Sequence, residues 1–334
     1  MTTAPGVQPW WEPARRRAGL IDLHPDVANF REEAVAGLRS SPKRVSPKFF
    51  YDERGSALFE RITRLPEYYP TRTEIEILEE HAESLATILG ERWELLELGS
   101  GSSRKTRILL ESAGGNGTYV PIDIAKESLV AAAEGIAQEF PDVNVVAVCA
   151  DYTAPIPLAR FDPSARRIIF FPGSTIGNFD PDDARDFLAH LGGMLEPDDR
   201  MIVGVDLQKD PATLHAAYND AAGVTARFNC NVLERMNREL GANFDLRRFE
   251  HLAFYDPKLG RIEMHLRSRG EQTVRIDGEE IRFENRETIH TENSYKYTRE
   301  GFRRLAREAG LATVEIWTDP GLLFSVWILA PQRI

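Results

Sequence analysis

The chain has 334 residues, of which 42% are hydrophobic and 28% charged, so its composition is that of a globular protein with one large or two modest domains. Its 41 basic and 52 acidic residues leave a formal charge of -11, which disfavours a nucleic-acid partner because a phosphate backbone would be repelled. No apolar run approaches the roughly 20 residues that span a bilayer, and the first residues lack a signal-peptide core, so we expect a cytoplasmic protein without a membrane partner.

The N-terminal part of the chain changes character near residue 26. Residues 1–25 contain several prolines and an arginine cluster but no sustained apolar period, which predicts a flexible segment. From about Asp26 the pattern turns helical, and Thr71–Leu89 places its apolar side chains largely on one face. We expect one helix there, with the acidic run Glu74–Glu83 on its solvent-exposed face.

The middle of the chain alternates short apolar runs with helical patterns. Such runs are typical of buried parallel strands, and their alternation with helices predicts a doubly wound α/β sheet. The expected strands are Glu94–Leu98, Tyr119–Ile124, Val143–Val148, Arg167–Phe171 and Met201–Val205. The expected helices between them are Arg104–Ser112, Ala125–Glu139 and Pro181–Leu195.

After Asp206 this rhythm breaks. Two helical patterns and then four strand patterns predict an inserted α+β lobe over residues 207–296. The lobe's strands are expected near Glu250–Tyr255, Gly260–Arg269, Gln272–Ile276 and Glu287–Asn293. A last helix and two strands resume the α/β pattern, so residues 26–206 plus 297–334 are predicted to form the main domain.

A glycine-rich loop follows the first predicted strand of the sheet. In Glu97-Leu98-Gly99-Ser100-Gly101-Ser102-Ser103, glycines remove the Cβ atoms that would keep a nucleotide away from the backbone. A dinucleotide fingerprint would place a third glycine where this chain has Arg104, which weakens the nicotinamide interpretation. The loop alone therefore indicates only a nucleotide-like ligand.

Acidic residues end the next two strands. Asp123 lies 24 residues beyond Gly99, where a carboxylate can accept hydrogen bonds from both ribose hydroxyls. Its alternative role is a helix N-cap. Asp151, in Cys149-Ala150-Asp151-Tyr152, could meet an adenine amino group or simply serve as a turn residue. Two such acids on successive strands favour a nucleoside ligand. Lys105, just inside the following helix, is on spacing alone a solvated side chain.

The chain offers no pattern for a metal site. The two cysteines, Cys149 and Cys230, lack the paired spacing of a zinc site, and we interpret them as ordinary thiols. The seven histidines include no H-x-x-x-H spacing, so none is assigned as a ligand or a base. We predict no bound metal.

Several long blocks resemble one family. They are Lys48-Phe49-Phe50-Tyr51-Asp52, Leu65-Pro66-Glu67-Tyr68-Tyr69-Pro70-Thr71-Arg72-Thr73-Glu74, Gly173-Ser174-Thr175-Ile176-Gly177-Asn178, Ala217-Tyr218-Asn219-Asp220-Ala221-Ala222-Gly223 and Arg261-Ile262-Glu263-Met264. Together with the glycine loop and Lys105-Thr106-Arg107, they resemble the histidine Nα-methyltransferases of ergothioneine biosynthesis over nearly everything after residue 26.

The resemblance implies a Rossmann-like methyltransferase sheet with an inserted substrate lobe and S-adenosylmethionine (SAM) as methyl donor. It implies three successive methylations of the α-amine of L-histidine to give hercynine, the first step of ergothioneine biosynthesis, by an enzyme expected to act as a monomer on this small molecule. The cofactor residues that it implies are Gly99, Lys105, Asp123, Asp151, Tyr152 and Gly173. The histidine-binding residues that it implies are Tyr68, Asn178, Tyr218, Glu292 and Ser294.

Physical chemistry assigns further roles within the implied pocket. The trimethylated amine is a fixed cation, for which aromatic faces are good neighbours, and Tyr51 and Phe59 would suit this. Tyr51 is also our candidate catalytic residue, shaping the environment in which the amine loses its proton. The alternative is that both rings merely pack the N-terminal segment on the sheet.

The two ends of the substrate need different partners. Asn178, Tyr68 and Tyr218 can donate to the carboxylate, although Asn178 could be only a turn residue. Glu292 can accept from an imidazole N–H, while Ser294 donates to or accepts from the second nitrogen. Without the family, Glu292 in a strand would be interpreted as solvent-facing.

Met264 is expected beside this pocket as an adaptable apolar wall. With Glu292 it would separate histidine from the substrate of related fungal enzymes, which methylate a tryptophan derivative. Three alternatives remain at this stage: a methyltransferase for another aromatic amino acid, a nicotinamide oxidoreductase, and a non-catalytic nucleotide-binding module.

Overall fold

We describe a computed structural model of the chain, in which residues 18–23, 28–101, 104–154, 156 and 158–332 are placed. Most of the segment expected to be flexible, and Ser102 and Ser103 of the glycine loop, lie outside the described residues. Among the described residues, no helix combines the length and the apolar character needed to cross a membrane.

The main sheet has eight strands among the described residues. The first six in spatial order run parallel, and the seventh is antiparallel to both of its neighbours. In spatial order they are β1 (Ala18–Asp22), β5 (Asn144–Cys149), β4 (Asn116–Asp123), β3 (Arg92–Leu98), β6 (Arg166–Phe171), β7 (Arg200–Asp206), β14 (Phe324–Pro331) and β13 (Leu311–Thr318). The central strands are mostly apolar because both of their faces are covered, with Glu94, Glu97 and Arg167 as buried charged exceptions.

Helices cover the two faces of this sheet. Leu95 on one face packs in a core with Leu85 and Leu129, whereas Leu96 on the other face packs with Leu188 and Phe302. The helices are α3 (Tyr69–Glu80), α4 (Ala82–Leu89), α5 (Arg104–Ser112), α6 (Lys126–Glu139), α7 (Pro181–Gly192) and α10 (Arg299–Glu308). The predicted doubly wound α/β fold is thus confirmed.

The helix predicted over Thr71–Leu89 is in fact two helices. They meet at His81, whose φ of -106° and ψ of 24° leave helical geometry. The His81 ring stacks on Trp317 with centroids 4.5 Å apart, so a contact distant in sequence fixes the break.

A second layer contains a four-stranded sheet and four helices. Its hairpin of β10 (Gln272–Ile276) and β11 (Glu279–Phe283) turns at Asp277 and Gly278, both at positive φ, as a two-residue hairpin turn requires. The sheet order is β2 (Lys43–Arg44), β12 (Thr288–Tyr295), β9 (Arg261–Ser268) and β8 (Phe249–Asp256). The other elements are β10 (Gln272–Ile276), β11 (Glu279–Phe283), α1 (Ala28–Arg39), α2 (Glu53–Ile62), α8 (Pro211–Tyr218) and α9 (Val224–Leu240).

Residues between β1 and β3 share the core of this second layer. Phe30, Phe50 and Leu58 pack in one cluster with Phe228 and Met264, and β2 pairs in parallel with β12. At the chain start, β1 pairs in parallel with β5, so this part of the segment expected to be flexible is a strand of the main sheet. The boundaries at 26, 206 and 297 stay a prediction.

Candidate active site

The glycine loop connects β3 to α5 in the backbone geometry that its glycines allow. Gly99 and Gly101 have φ values of 72° and 43°, which lie in the left-handed region that glycine adopts without strain. The Gly99 N–H donates to the carbonyl of Ile122 at 2.8 Å, which ties the loop to the end of the neighbouring strand. The carboxylate of Glu97 accepts from Thr106 Oγ1 at 2.6 Å and is a buried support for α5.

Asp123 stands at the carboxyl end of β4 beside this loop. Its carboxylate accepts from the Ala125 N–H at 3.0 Å and from the backbone of Gly101. Burial raises the pKa of Asp123, while those backbone hydrogen bonds oppose the rise. Asp123 therefore both forms a turn and lies beside the glycine loop. Its carboxylate can still accept hydrogen bonds from the hydroxyls of a ligand on the loop.

Asp151 and Tyr152 follow β5, the strand next to β4 in the sheet. One oxygen of Asp151 accepts from the Thr153 N–H at 3.0 Å, as a turn aspartate does, and the other is 3.3 Å from Lys48 Nζ. The Tyr152 ring faces the loop, because a Cβ placed on Gly99 would stand 3.8 Å from it. Asp151 is thus both a turn residue and an acid next to the loop.

Lys105 is held by a buried carboxylate that sequence reasoning misassigned. Its Nζ is 2.5 Å from Oε2 of Glu74, and the same carboxylate accepts from the Gly173 N–H at 2.9 Å. Glu74 has no exposed surface, so the prediction that the acidic run from Glu74 faces solvent is wrong at its first residue. Glu74 joins the first turn of α5 to the end of β6.

The glycine loop, Lys105, Asp123, Asp151 and Tyr152 are called the cradle below. All eight residues proposed to contact the substrate line one pocket next to it. The pocket has an empty volume of about 580 Å³, part of it open solvent, and Gly173 also lines it. The eight are Tyr51, Phe59, Tyr68, Asn178, Tyr218, Met264, Glu292 and Ser294. They come from the N-terminal segment, the main sheet's loops and the second layer, so a single pocket gathers residues far apart in sequence.

Aromatic rings form one wall of the pocket. The Tyr51 ring meets Phe59 edge-on with centroids 5.7 Å apart and Phe228 at 5.8 Å, and Tyr68 meets Tyr218 at 6.5 Å. Burial raises the pKa of Tyr51 and of Tyr68 well above the usual value, so both phenols stay neutral. Such a wall suits a cation without charged partners. Sequence reasoning missed Phe228, which lies on α9.

Glu292 faces the pocket because β12 is irregular. Its register with β9 shifts between His290 and Glu292, and Thr291 and Glu292 are consecutive buried residues. A β-bulge of this kind reverses the alternation that would point Glu292 to solvent. Glu292 is 8% exposed, pairs across the sheet with Met264, and its carboxylate makes no hydrogen bond to any other described residue.

The charge of Glu292 depends on its surroundings. Burial raises its pKa to about 7, and the positive charge of Lys296 opposes that rise. A carboxylate buried without a partner is costly, so this site gains from a ligand that brings an N–H donor.

A buried polar network lies beside Glu292. The sequence analysis predicted its members Tyr218 and Ser294 but missed Tyr69, Asp206 and Lys296. Tyr218 OH donates to Ser294 Oγ at 2.7 Å, and Lys296 Nζ lies 2.8 Å from Asp206 Oδ2. The Asp206 carboxylate also accepts from Tyr69 OH at 2.8 Å. All of these except Tyr69 line the pocket. In the sequence, Lys296 two residues after Ser294 was the one available signal.

Asn178 occupies the end of a short 3-10 helix after β6. This helix starts after Ser174, whose φ of 59° is left-handed, and it reaches the pocket between β6 and β12. Among the described residues, none hydrogen-bonds to the Asn178 side chain, so its amide is available to a ligand.

One cluster of possible metal ligands lies outside the pocket. Glu263, His265 and His290 bring their ligand atoms within 4.8 Å of one another across β9 and β12. Arg261 forms an ion pair with Glu263 at 2.5 Å, and Asn293 hydrogen-bonds to His290 at 2.9 Å, so this cluster already has protein partners. The absence of a bound metal stays a prediction.

Comparisons with known proteins find related sequences over most of the chain. The family model described as histidine-specific methyltransferase, SAM-dependent, matches residues 30–331. A histidine N-alpha-methyltransferase of Mycolicibacterium smegmatis is 44% identical over 295 residues, which cover 87% of this chain and 91% of that protein.

Two more distant matches are also found. Ergothioneine biosynthesis protein 1 of Neurospora crassa is 32% identical over 345 residues, covering 95% of this chain and 37% of that protein. A solved SAM-dependent methyltransferase from Clostridium acetobutylicum superposes with a TM-score of 0.44 at 12% identity, covering 78% of this chain and 92% of that one.

Proposed function

The chain belongs to the family of histidine-specific, SAM-dependent methyltransferases, and from that premise we propose how its pocket carries out the reaction. The enzyme methylates the α-amine of L-histidine with SAM to give hercynine, the trimethylated product, in ergothioneine biosynthesis. One observation carries the proposed binding mode: the buried Glu292 carboxylate faces the pocket without a protein partner. The imidazole N–H of histidine would supply that partner.

The cradle residues fit the cofactor. Gly99 and Gly101 leave the loop backbone open to a nucleoside, and Asp123 would accept its ribose hydroxyls. Asp151 and Tyr152 would meet the adenine. SAM supplies an electrophilic methyl group on a positively charged sulfur.

The methionine end of the cofactor would lie at the far side of the loop. Lys105 offers its ammonium group to the cofactor's carboxylate, and Glu74 fixes where that ammonium stands. Gly173 borders both Lys105 and the substrate pocket, since a Cβ on it would stand 3.5 Å from Lys105 Nζ. The two proposed sites would therefore meet at Gly173, with the methyl donor beside the substrate.

At the substrate's amino acid end, Asn178 and the neutral phenol of Tyr68 would donate to the carboxylate. At its ring end, Glu292 and Ser294 would bind the two nitrogens, with Met264 as the apolar wall. The amine is then left facing the aromatic wall. Positioning supplies most of the rate enhancement, because in-line transfer depends on alignment of donor and acceptor.

Tyr51 would act as a neutral hydroxyl and as an aromatic face. Its raised pKa means that it does not act as a phenolate base at neutral pH, so the amine proton leaves through water or through another oxygen. Its ring, with those of Phe59 and Phe228, would stabilise the cation that forms at the third methylation.

A pair of substitutions separates the two functions of Tyr51. We expect Tyr51→Phe to lower kcat about tenfold, because the hydroxyl could no longer hydrogen-bond to the substrate, while trimethylated product still forms. Tyr51→Ala also removes the ring, so mono- and dimethylated histidine should accumulate. The measurement is the product mass distribution over time at saturating SAM. Equal distributions for the two variants would contradict a role for the ring.

The activity itself is tested by product mass. Incubation of the chain with SAM and each of the amino acids should give three added methyl groups on histidine and none on tryptophan or tyrosine. Fragmentation of the product should place all three on the α-nitrogen. Methylation of another aromatic amino acid in preference to histidine would overturn the proposed pocket chemistry.

We further propose a division of labour within the chain. The loops of the main domain, residues 26–206 plus 297–334, would hold SAM, and the lobe at 207–296 would hold histidine, together with Tyr51, Phe59 and Tyr68 from the N-terminal part. A monomer would suffice, because the residues proposed for both sites come from one chain. Light scattering of the purified protein with and without SAM tests that state.

The proposed setting is the cytoplasm, with no nucleic-acid or membrane partner. The charge of -11 supports the absence of a nucleic-acid partner, and SAM and histidine are both cytoplasmic metabolites. Cell fractionation followed by immunoblotting tests the location.

A further inference from the structure

Lys296 is a buried ammonium group in the wall of the histidine pocket. It comes directly after β12, and its side chain is 1% exposed. Nζ lies 2.8 Å from Asp206 Oδ2, 2.8 Å from Ser294 Oγ and 3.0 Å from Tyr218 OH. An ammonium group has three donors and no acceptor, so these three partners use all of its hydrogen-bonding capacity.

This saturation constrains the two neighbouring hydroxyls. Ser294 Oγ accepts from both Lys296 and Tyr218, which fills its two lone pairs. Neither hydroxyl can donate to Lys296. Since the single bond between Tyr218 and Ser294 uses the Tyr218 proton, the Ser294 proton has no acceptor among the described residues. Ser294 therefore offers a donor to whatever occupies the pocket.

Asp206 keeps the lysine charged. Burial alone would lower the pKa of Lys296, but the adjacent Asp206 carboxylate raises it above the usual range. Asp206 is itself held by Tyr69 OH and by Lys209 Nζ at 2.5 Å. The ion pair is thus part of a network in which every charge has a partner.

The same ammonium group acts on Glu292, four residues earlier in the chain. Its positive charge favours the ionised form of that carboxylate, which can only accept hydrogen bonds. Lys296 consequently gives opposite hydrogen-bonding roles to the two side chains proposed to bind the imidazole ring: Glu292 becomes an acceptor and Ser294 a donor.

We propose that Lys296 is a positioning and specificity-determining residue that makes the pocket complementary to a neutral imidazole, with one N–H facing Glu292 and one bare nitrogen facing Ser294. This inference rests on the proposed function of the pocket and deepens it. A ring with an N–H but no second nitrogen, such as pyrrole, would leave the Ser294 donor without an acceptor. Loss of Lys296 frees a lone pair on Ser294 Oγ, so the hydroxyl can accept as well as donate and the discrimination between the two rings falls.

The test compares histidine with its pyrrole analogue, in which the bare ring nitrogen is replaced by carbon. The readout is the ratio of the two kcat/KM values in the full chain and in Lys296→Met. We expect the wild-type ratio to favour histidine and Lys296→Met to reduce that ratio about tenfold, with the Kd for SAM unchanged within about twofold. Lys209→Met is the matched control, because Lys209 also pairs with Asp206 but contacts neither Ser294 nor Tyr218.

A pH profile adds a readout that a merely structural role would not move. The pyrrole ring does not titrate near neutrality and the deprotonation of the α-amine is the same for every variant, so a shift of the acid limb of kcat/KM between variants reports Glu292. This limb should move to higher pH in Lys296→Met, because the positive charge that opposes protonation of Glu292 is gone, and it should stay in place in Lys209→Met.

The outcomes separate this inference from the proposed function. A wild-type chain that adds no methyl to histidine overturns the function, whatever Lys296 does. An active wild type with an unchanged ratio in a SAM-binding Lys296→Met variant, or an equal fall in Lys209→Met, overturns the role of Lys296. Should Lys296→Met alone fail to fold, Asp206→Asn with Lys296→Met removes both charges of the pair, and the same fall in the ratio is expected.

Discussion

Replacing Glu292 with alanine should raise the Kd for histidine about 5- to 150-fold while leaving the Kd for SAM unchanged. The range corresponds to about 1 to 3 kcal/mol, the cost of leaving a buried polar group without its partner. In the proposed binding mode that group is the imidazole N–H of histidine, and the residues proposed to hold SAM are other ones. Calorimetric titration of each ligand gives both affinities. Equal losses for the two ligands would contradict a specific role for Glu292.

Glutamine at position 292 separates charge from shape. Burial raises the folded-state pKa of Glu292 to about 7, above the value of 4.5 expected when the chain is unfolded. The contribution of this group to stability is therefore fully present below about pH 4.5 and is lost as the pH rises through 7. Ionisation of the buried group then costs about 3 kcal/mol, from about 1.4 kcal/mol per pKa unit.

Glu292→Gln should accordingly stabilise the ligand-free enzyme at pH 8 and bring little change at pH 5. Urea unfolding at both pH values measures the difference. Glu250→Gln is the control, because Glu250 lies on the outer side of the same sheet in an ion pair with Arg267. A stabilisation equal at the two pH values would show that the charge of Glu292 is not its cause. The site thus trades stability for substrate recognition, as binding sites commonly do.

The sequence predicts those elements of this protein whose burial is uniform. Strands such as β5 and β7 are covered on both faces, so residues 145–149 and 201–205 appear in the sequence as unbroken apolar runs. The orientation of Glu292 is of a different kind, because a register shift in β12 decides it and a period of two cannot reveal an extra residue. Only the resemblance to a family brought Glu292 into the predicted site.

Buried charged residues are the second kind of structural feature that local sequence patterns do not predict. Asp206 and Lys296 are 90 residues apart and pair only after the lobe has folded against the main sheet. The packing of Phe50 against Phe228 likewise joins distant segments, which is why the N-terminal residues were not assigned to the core of the second layer. Each of these contacts is long-range, and none leaves a periodic trace in the sequence.

Glu74 did leave such a trace. It precedes Ile77 and Leu78 by three and four residues, so the three side chains share one face of α3, and that face is buried. The acidic composition of the run concealed this, because Glu76, Glu79 and Glu80 do face solvent. Helical position, and not residue type, was the reliable signal.

Replacing Glu74 with alanine should therefore destabilise the protein by about 3 to 5 kcal/mol, the usual cost of removing one partner from a buried ion pair. Lys105 would lose its counter-charge and the Gly173 N–H its acceptor. The same change should weaken SAM binding, because Lys105 would no longer be held at the edge of the glycine loop. Urea unfolding and SAM titration measure the two effects.

The control is Glu76→Ala, a substitution on the same helix at an exposed position, where a change within about 0.5 kcal/mol is expected. Glu74→Gln completes the series. Its amide oxygen can still accept from the Gly173 N–H, but the amide carries no charge to pair with Lys105, so it should recover part of the stability and less of the SAM affinity. If Glu74→Gln binds SAM as tightly as the wild type, then the ion pair with Lys105 supports only the fold, and the cofactor's carboxylate is held elsewhere.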